Sequence, residues 1–208
     1  MNKKGLTMIE LIVTLVILGI IMTLAISLQI HNQQLYKRET SLIDLRTNVR
    51  GALDIMVEDL RSAGFNPEEA PAPAFTPGVV DAQSNLIWIR TDTDTDGVYD
   101  IGEEIGYSIS DGNLYKNKNM NGVTDTSIIA RGIDYLEFRY MDNKSVEFTS
   151  PVAVASLDSI KTIKIIIVGK TLKRFLNYIE SGNYPDGTSY SDRCYRCWDS
   201  TFVKLRNI

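Results

Sequence analysis

The sequence predicts an α+β chain in which one long amino-terminal helix leads into an antiparallel, β-rich head. Three observations predict it. Twenty consecutive residues, Leu11 to Ile30, carry no formal charge, and no proline occurs before Pro67. Beyond Gly78 the pattern changes to short apolar runs separated by turn signals, with no helix between them to carry parallel crossovers. The 208 residues suffice for one domain with a core, and a net charge of -4 gives no reason to expect nucleic acid as a partner. A single histidine, His31, excludes most triads and histidine-based metal centres.

The uncharged run is long enough to cross a bilayer, because about 20 residues at about 1.5 Å each span the hydrocarbon core. Lys3 and Lys4 precede it with no acid before Glu10, which predicts a cytoplasmic amino terminus. A secretory signal is the competing reading, but the run exceeds an ordinary signal core and no clear small-residue cleavage site follows. Glu10 is the anomaly, since a carboxylate at membrane depth is costly unless it finds a partner. Thr7-Met8-Ile9-Glu10 fits a capping box, and an amino-terminal cation, in this chain or a neighbour, is the other candidate partner.

Lys3-Lys4-Gly5-Leu6-Thr7-Met8-Ile9-Glu10-Leu11-Ile12-Val13 resembles the class III signal of type IV pilins and type II secretion pseudopilins. The resemblance implies the pilin fold, cleavage by a prepilin peptidase between Gly5 and Leu6, N-methylation of Leu6, and a role for Glu10 in filament assembly. Leu6 departs mildly from the phenylalanine usual there. The resemblance further implies a structural filament subunit and not an enzyme. Its partners would be the peptidase, other major and minor pilins, the inner-membrane assembly platform and, before assembly, the lipid bilayer. The protein would start as a single-pass inner-membrane protein with a periplasmic head, then enter an extracellular pilus or a periplasmic pseudopilus.

Past the membrane run, Leu42, Leu45, Val49, Ala52, Met56, Leu60 and Ala63 form a stripe at helical spacing. Five basic and five acidic residues between Lys37 and Arg61 occupy the other faces. Gly64 supplies a C-cap and Asn66-Pro67 a stop. A helix from Leu6 to Ala63 would measure on the order of 87 Å, so half of it is expected to project from the head and half to pack on a sheet. Residues 1–5 are thus the expected leader, 6–30 the transmembrane or filament-core helix, 31–64 its soluble half, 65–78 a proline-rich linker and 79–208 the head. Arg61-Ser62-Ala63-Gly64-Phe65 and the closing Val203-Lys204-Leu205-Arg206-Asn207 resemble PilW-type minor pilins and J-type minor pseudopilins. That resemblance implies a minor subunit of the tip or priming complex.

In the head, strands are expected over Asn85–Arg90, Glu104–Ile109, Leu114–Lys116, Ile133–Tyr140, a central Lys161–Val168 and an edge Phe202–Arg206. Between the first two, Thr91 to Glu104 holds six acids and no base. Asp92, Asp94, Asp96, Gly97 and Glu103 fit D-x-[DN]-x-[DN]-G-x5-E, with Val98 offering its carbonyl and Asp100 acting through water. This is an EF-hand-like loop set in a hairpin, for which calcium is the expected ligand and a solvated acidic turn the alternative. A second stretch, Asn117 to Gly122, repeats the spacing, but Lys118 intrudes and a plain loop is expected. Cys194 and Cys197 are too few for a zinc site, and no βαβ pattern supports a redox catalyst. A small disulfide loop is expected, with reduced thiols as the alternative. The competing function class is a membrane-anchored, calcium-dependent adhesin that never enters a filament.

Overall fold

Helix α1 (Met8–Ser62) begins where Thr7 supplies a cap and continues without a helix-breaking residue for 55 residues. In this computed structural model, residues 7–65, 78–95, 102–120, 123–175 and 178–206 are described. The expected leader and most of the proline-rich linker lie outside them. The chain divides into two units, Met1–Ser41 and Leu42–Ile208.

In the first unit, every residue from Thr7 to Thr40 is exposed. This part of α1 is long and apolar enough, by length and composition, to cross a membrane. Its hydroxyls close on their own helix: Thr14 donates to the Leu11 carbonyl, Thr23 to Gly19 and Ser27 to Leu24, each at 2.8 Å. A lipid-facing polar group needs such an internal partner, because hydrocarbon offers none.

In the second unit, the rest of α1 buries the expected stripe. Leu45, Val49, Ala52, Met56, Leu60 and Ala63 are buried together with Leu53, while Leu42 is half-buried. Gly64 ends the helix at φ 76°, the left-handed C-cap conformation, and its N–H donates to the Arg90 carbonyl.

The strands form three antiparallel sheets, where one was expected. The first is a meander of β1 (Gly78–Ala82), β2 (Leu86–Arg90), β3 (Glu104–Ser110), β4 (Asn113–Met120) and β5 (Val123–Arg131). The second places β7 (Thr162–Lys170) between β10 (Arg196–Lys204) and β6 (Ile133–Met141), and the third is the hairpin of β8 (Glu180–Asn183) and β9 (Ser189–Asp192). The break falls at Gly132, which has φ 74° and turns the chain straight from β5 into β6. The sheets nevertheless share a core. Phe138 donates its N–H to the Ser84 carbonyl, the Tyr140 hydroxyl donates to Gln83, and both rings are buried.

Strand β7 is central, as expected, with Ile163, Ile165 and Ile167 turned into the core at period two. It meets α1 at close range. A Cβ added at Gly169 would lie 2.5 Å from Val49 Cγ2 and 2.7 Å from Leu45 Cδ1, so only glycine fits there without displacement. Asp59 on α1 is held by the Tyr107 hydroxyl of β3 and the Lys116 ammonium of β4, which ties the helix to the first sheet.

Two local expectations are corrected. Asn117–Met120 is not loop but the end of β4, where pairing outweighs the poor strand propensity of Asn and Lys. Asn117 donates to the Ser108 hydroxyl and accepts from Thr126, and Asn119 donates to Glu104, so its neighbours satisfy the amides. The last strand starts at Arg196, six residues before its expected beginning at Phe202, and keeps nine unbroken pairs with β7.

Arg196 anchors the small hairpin. Its side chain is 1% exposed and forms a two-pronged contact with Asp192 at 2.8 Å on each prong. It also reaches Asp134 Oδ2 and stacks 3.8 Å over the Tyr190 ring. Burial pushes the Asp134 carboxyl up, but hydrogen bonds from Lys170 and Tyr184 and the charges of Lys170 and Arg196 bring it below the usual carboxylate range. The Arg196 contact likewise lowers Asp192, against a smaller opposing effect of burial.

Replacing Gly169 by Ala should destabilise the head by about 1–3 kcal/mol through overpacking, read as a lower urea midpoint. Because both aspartates titrate lower when folded, their contribution is complete above the unfolded carboxylate pKa of about 4 and is lost as pH falls through the depressed values. Melting temperature should therefore fall on acidification. Asp134→Asn should start lower and lose less over the same acid window.

Candidate functional site

Three segments carry the candidate functional residues: the start of α1, the acidic loop between β2 and β3, and the cysteine pair at the start of β10. At the helix start, Glu10 Oε2 accepts from the Thr7 N–H and the Thr7 hydroxyl, both at 2.9 Å. The Glu10 N–H in turn donates to Thr7 Oγ1 at 3.4 Å, and Leu11 N–H reaches the Thr7 carbonyl at 3.2 Å. This is a reciprocal capping box, which satisfies orphan amides at the amino end. Glu10 thus has a partner within its own chain. Thr7, which the sequence reading valued only as half of a motif, is the residue that orients it. Gly5 and Leu6 lie outside the described residues.

The acidic loop is built differently from an EF-hand. Its ends are brought together by two pairing strands and not by two helices. Thr91 N–H donates to the Glu103 carbonyl at 3.1 Å, which extends the β2–β3 ladder by one step and sets Asp92 beside Glu103. Asp92 N–H donates to the Phe65 carbonyl just past α1. Thr93 N–H donates to Glu103 Oε1 and Thr95 N–H to Asp92 Oδ1, each at 2.6 Å. Asp92 and Glu103 are 2% and 5% exposed, whereas Asp94 is exposed.

The structure thereby brings together three of the expected ligands. One carboxylate oxygen from each of Asp92, Asp94 and Glu103 lies within 4.8 Å of the others. Oxygens that share a calcium ion at about 2.3–2.6 Å stand no farther apart than about 5 Å, so the spacing fits a hard cation with an all-oxygen shell. Asp96, Val98 and Asp100 lie outside the described residues. The sequence reading missed the supporting amides of Thr93 and Thr95, and the alternation of Thr with Asp from Thr91 to Asp96 was the available signal. The adjoining Arg90–Glu104 pair, at 2.7 Å, flanks the site on the β2–β3 register.

Cys194 and Cys197, expected as a disulfide, are both free thiols, one buried and the other half-buried. Tyr195 between them accepts from the Thr171 N–H at 2.9 Å and donates its own N–H to the Thr171 hydroxyl at 3.0 Å. Burial pushes both thiols up, with the Asp192 charge adding to it at Cys194. A redox catalyst needs the opposite shift.

A family model for the prokaryotic N-terminal methylation motif matches residues 1–26. No curated protein matches the chain. Among solved structures, it is similar to a type IV-like pilin from Thermus thermophilus at 13% identity and a TM-score of 0.53, covering 78% of this chain and 96% of that one. At that identity the likeness concerns the fold, a long amino-terminal helix followed by antiparallel sheet. The methylation motif and the pilin-like fold together support the type IV pilin and pseudopilin superfamily for this chain.

Proposed function

We propose that the chain is a minor, PilW-like type IV pilin, a structural filament subunit of the tip or priming complex. The observation that carries this reading is the methylation motif running without interruption into the uncharged, exposed half of α1. Processing by a prepilin peptidase and assembly with other pilins follow from that motif. The two kinship segments, Arg61–Phe65 and the carboxy-terminal Val203–Asn207, favour the PilW-like branch, with the J-type pseudopilin of type II secretion as its neighbour. In this reading the head stands in the periplasm before assembly, and the catalytic work of assembly belongs to other proteins.

Co-expression with a prepilin peptidase should remove residues 1–5 and add one methyl group to Leu6, which intact mass measures. An unprocessed mass would instead favour the anchored adhesin. The capping box then separates two roles of Glu10. Gln at the third helical position preserves the box, whereas Ala removes it. If the carboxylate charge docks subunits, Glu10→Gln and Glu10→Ala should both be cleaved normally and both be lost from filaments. Filament yield retained in Glu10→Gln would leave the residue only its capping role.

A second reading concerns the acidic loop, and the convergence of Asp92, Asp94 and Glu103 favours it. We infer calcium as the ligand, with Asp96, Val98 and Asp100 completing the shell. When bound, the ion would neutralise the carboxylates and order the β2–β3 connection. Calcium at about 100 times its dissociation constant should raise the melting temperature of the full chain by roughly 5 °C. Chelation should reverse the rise, and Asp94→Ala should show none.

A further inference from the structure

A cleft of about 480 Å³ opens on the face of the β10–β7–β6 sheet that points away from the core. The register places Phe202, Lys164 and Arg139 in one row across the three strands, with Ser200, Ile166 and Glu137 in the next. Trp198, Ile166 and Pro185 form its apolar lining, and Pro185 comes from the turn between β8 and β9. Arg139, Lys164 and Ser200 supply the polar side chains.

Three properties of this cleft are not explained by stability. Trp198 is 43% exposed and Phe202 60% exposed, although both sit on a regular strand beside apolar positions. They share one face of β10 four residues apart, about 13 Å at strand rise, which makes two aromatic platforms in line. Lys164 lies 5.3 Å from the Phe202 ring centre and has no carboxylate within ion-pair distance among the described residues. Arg139, by contrast, is already paired with Glu137 at 2.7 Å and Glu147 at 3.8 Å.

Flat apolar faces in a row, one uncompensated cation and the Ser200 hydroxyl at the rim match a ligand with its own flat apolar faces, sparse negative charge and hydroxyls. We propose that this cleft binds an acidic oligosaccharide, a chain of uronic acid units. One ring stacks on Trp198 with its carboxylate toward Lys164, and its hydroxyls meet Ser200. The following rings run along β10 toward Phe202. A densely phosphorylated polymer fits less well, since the chain carries a net charge of -4 and the cleft offers one unpaired cation.

Isothermal titration of the full chain in detergent micelles tests this, with oligogalacturonate, neutral oligogalactan and inorganic polyphosphate as probes. Oligogalacturonate should bind, galactan should bind more weakly, and polyphosphate should not compete. Trp198→Ala should abolish saccharide binding. Lys164→Gln should weaken only the acidic probe, by about tenfold, and Phe202→Ala should affect the oligomer but not single galacturonate. All three side chains lie outside the core, so an unchanged melting temperature confirms folding. Absence of binding, undiminished binding in Trp198→Ala, or equal capture of polyphosphate lost in Lys164→Gln would each overturn the proposal.

Discussion

The seating of Leu45 and Val49 of α1 on the bare backbone of Gly169 is the contact on which the rest of the head depends. A helix can approach a strand this closely only where the strand has no side chain, and β7 is the central strand of its sheet. Farther along α1, Met56 and Leu60 belong to the same buried cluster as Tyr107 and Leu114 of the other sheet. Asp59 then meets Tyr107 and Lys116. Two separate sheets thus acquire one core because one helix face covers both.

The helix was the most legible part of the sequence. Its stripe, its glycine stop and its uncharged run are periodic or compositional features, and those survive without knowledge of partners. Leu53 lay outside the expected stripe, yet it is buried beside Ala52 on the same part of the helix. Strand β4 was hidden because Asn117, Lys118 and Asn119 have poor strand propensity, and only cross-strand partners reveal why they are tolerated. Arg196 lies inside the C-x2-C stretch with nothing local to mark it, because its role depends on Asp134, sixty-two residues away.

The candidate site was legible to a different degree at each end. The spacing of Thr7 and Glu10 encodes a local contact three residues apart, and the structure forms it. The acidic loop combines local spacing with one long-range condition, the β2–β3 pairing that closes its mouth. Both strands were readable, so the meeting of Asp92 with Glu103 was too. The cysteine pair shows the converse: C-x2-C spacing does not by itself bond two thiols, and both are free.

The hydroxyls of Thr14, Thr23 and Ser27, each folded back onto a carbonyl of its own helix, carry a consequence for traffic. A segment whose hydroxyls are bonded internally has few side-chain bonds to exchange with its surroundings. Its move from lipid tails to the side chains of like helices then swaps one set of dispersion contacts for another. Such a segment can be withdrawn or returned without a hydrogen-bond toll, and shape complementarity decides where it comes to rest.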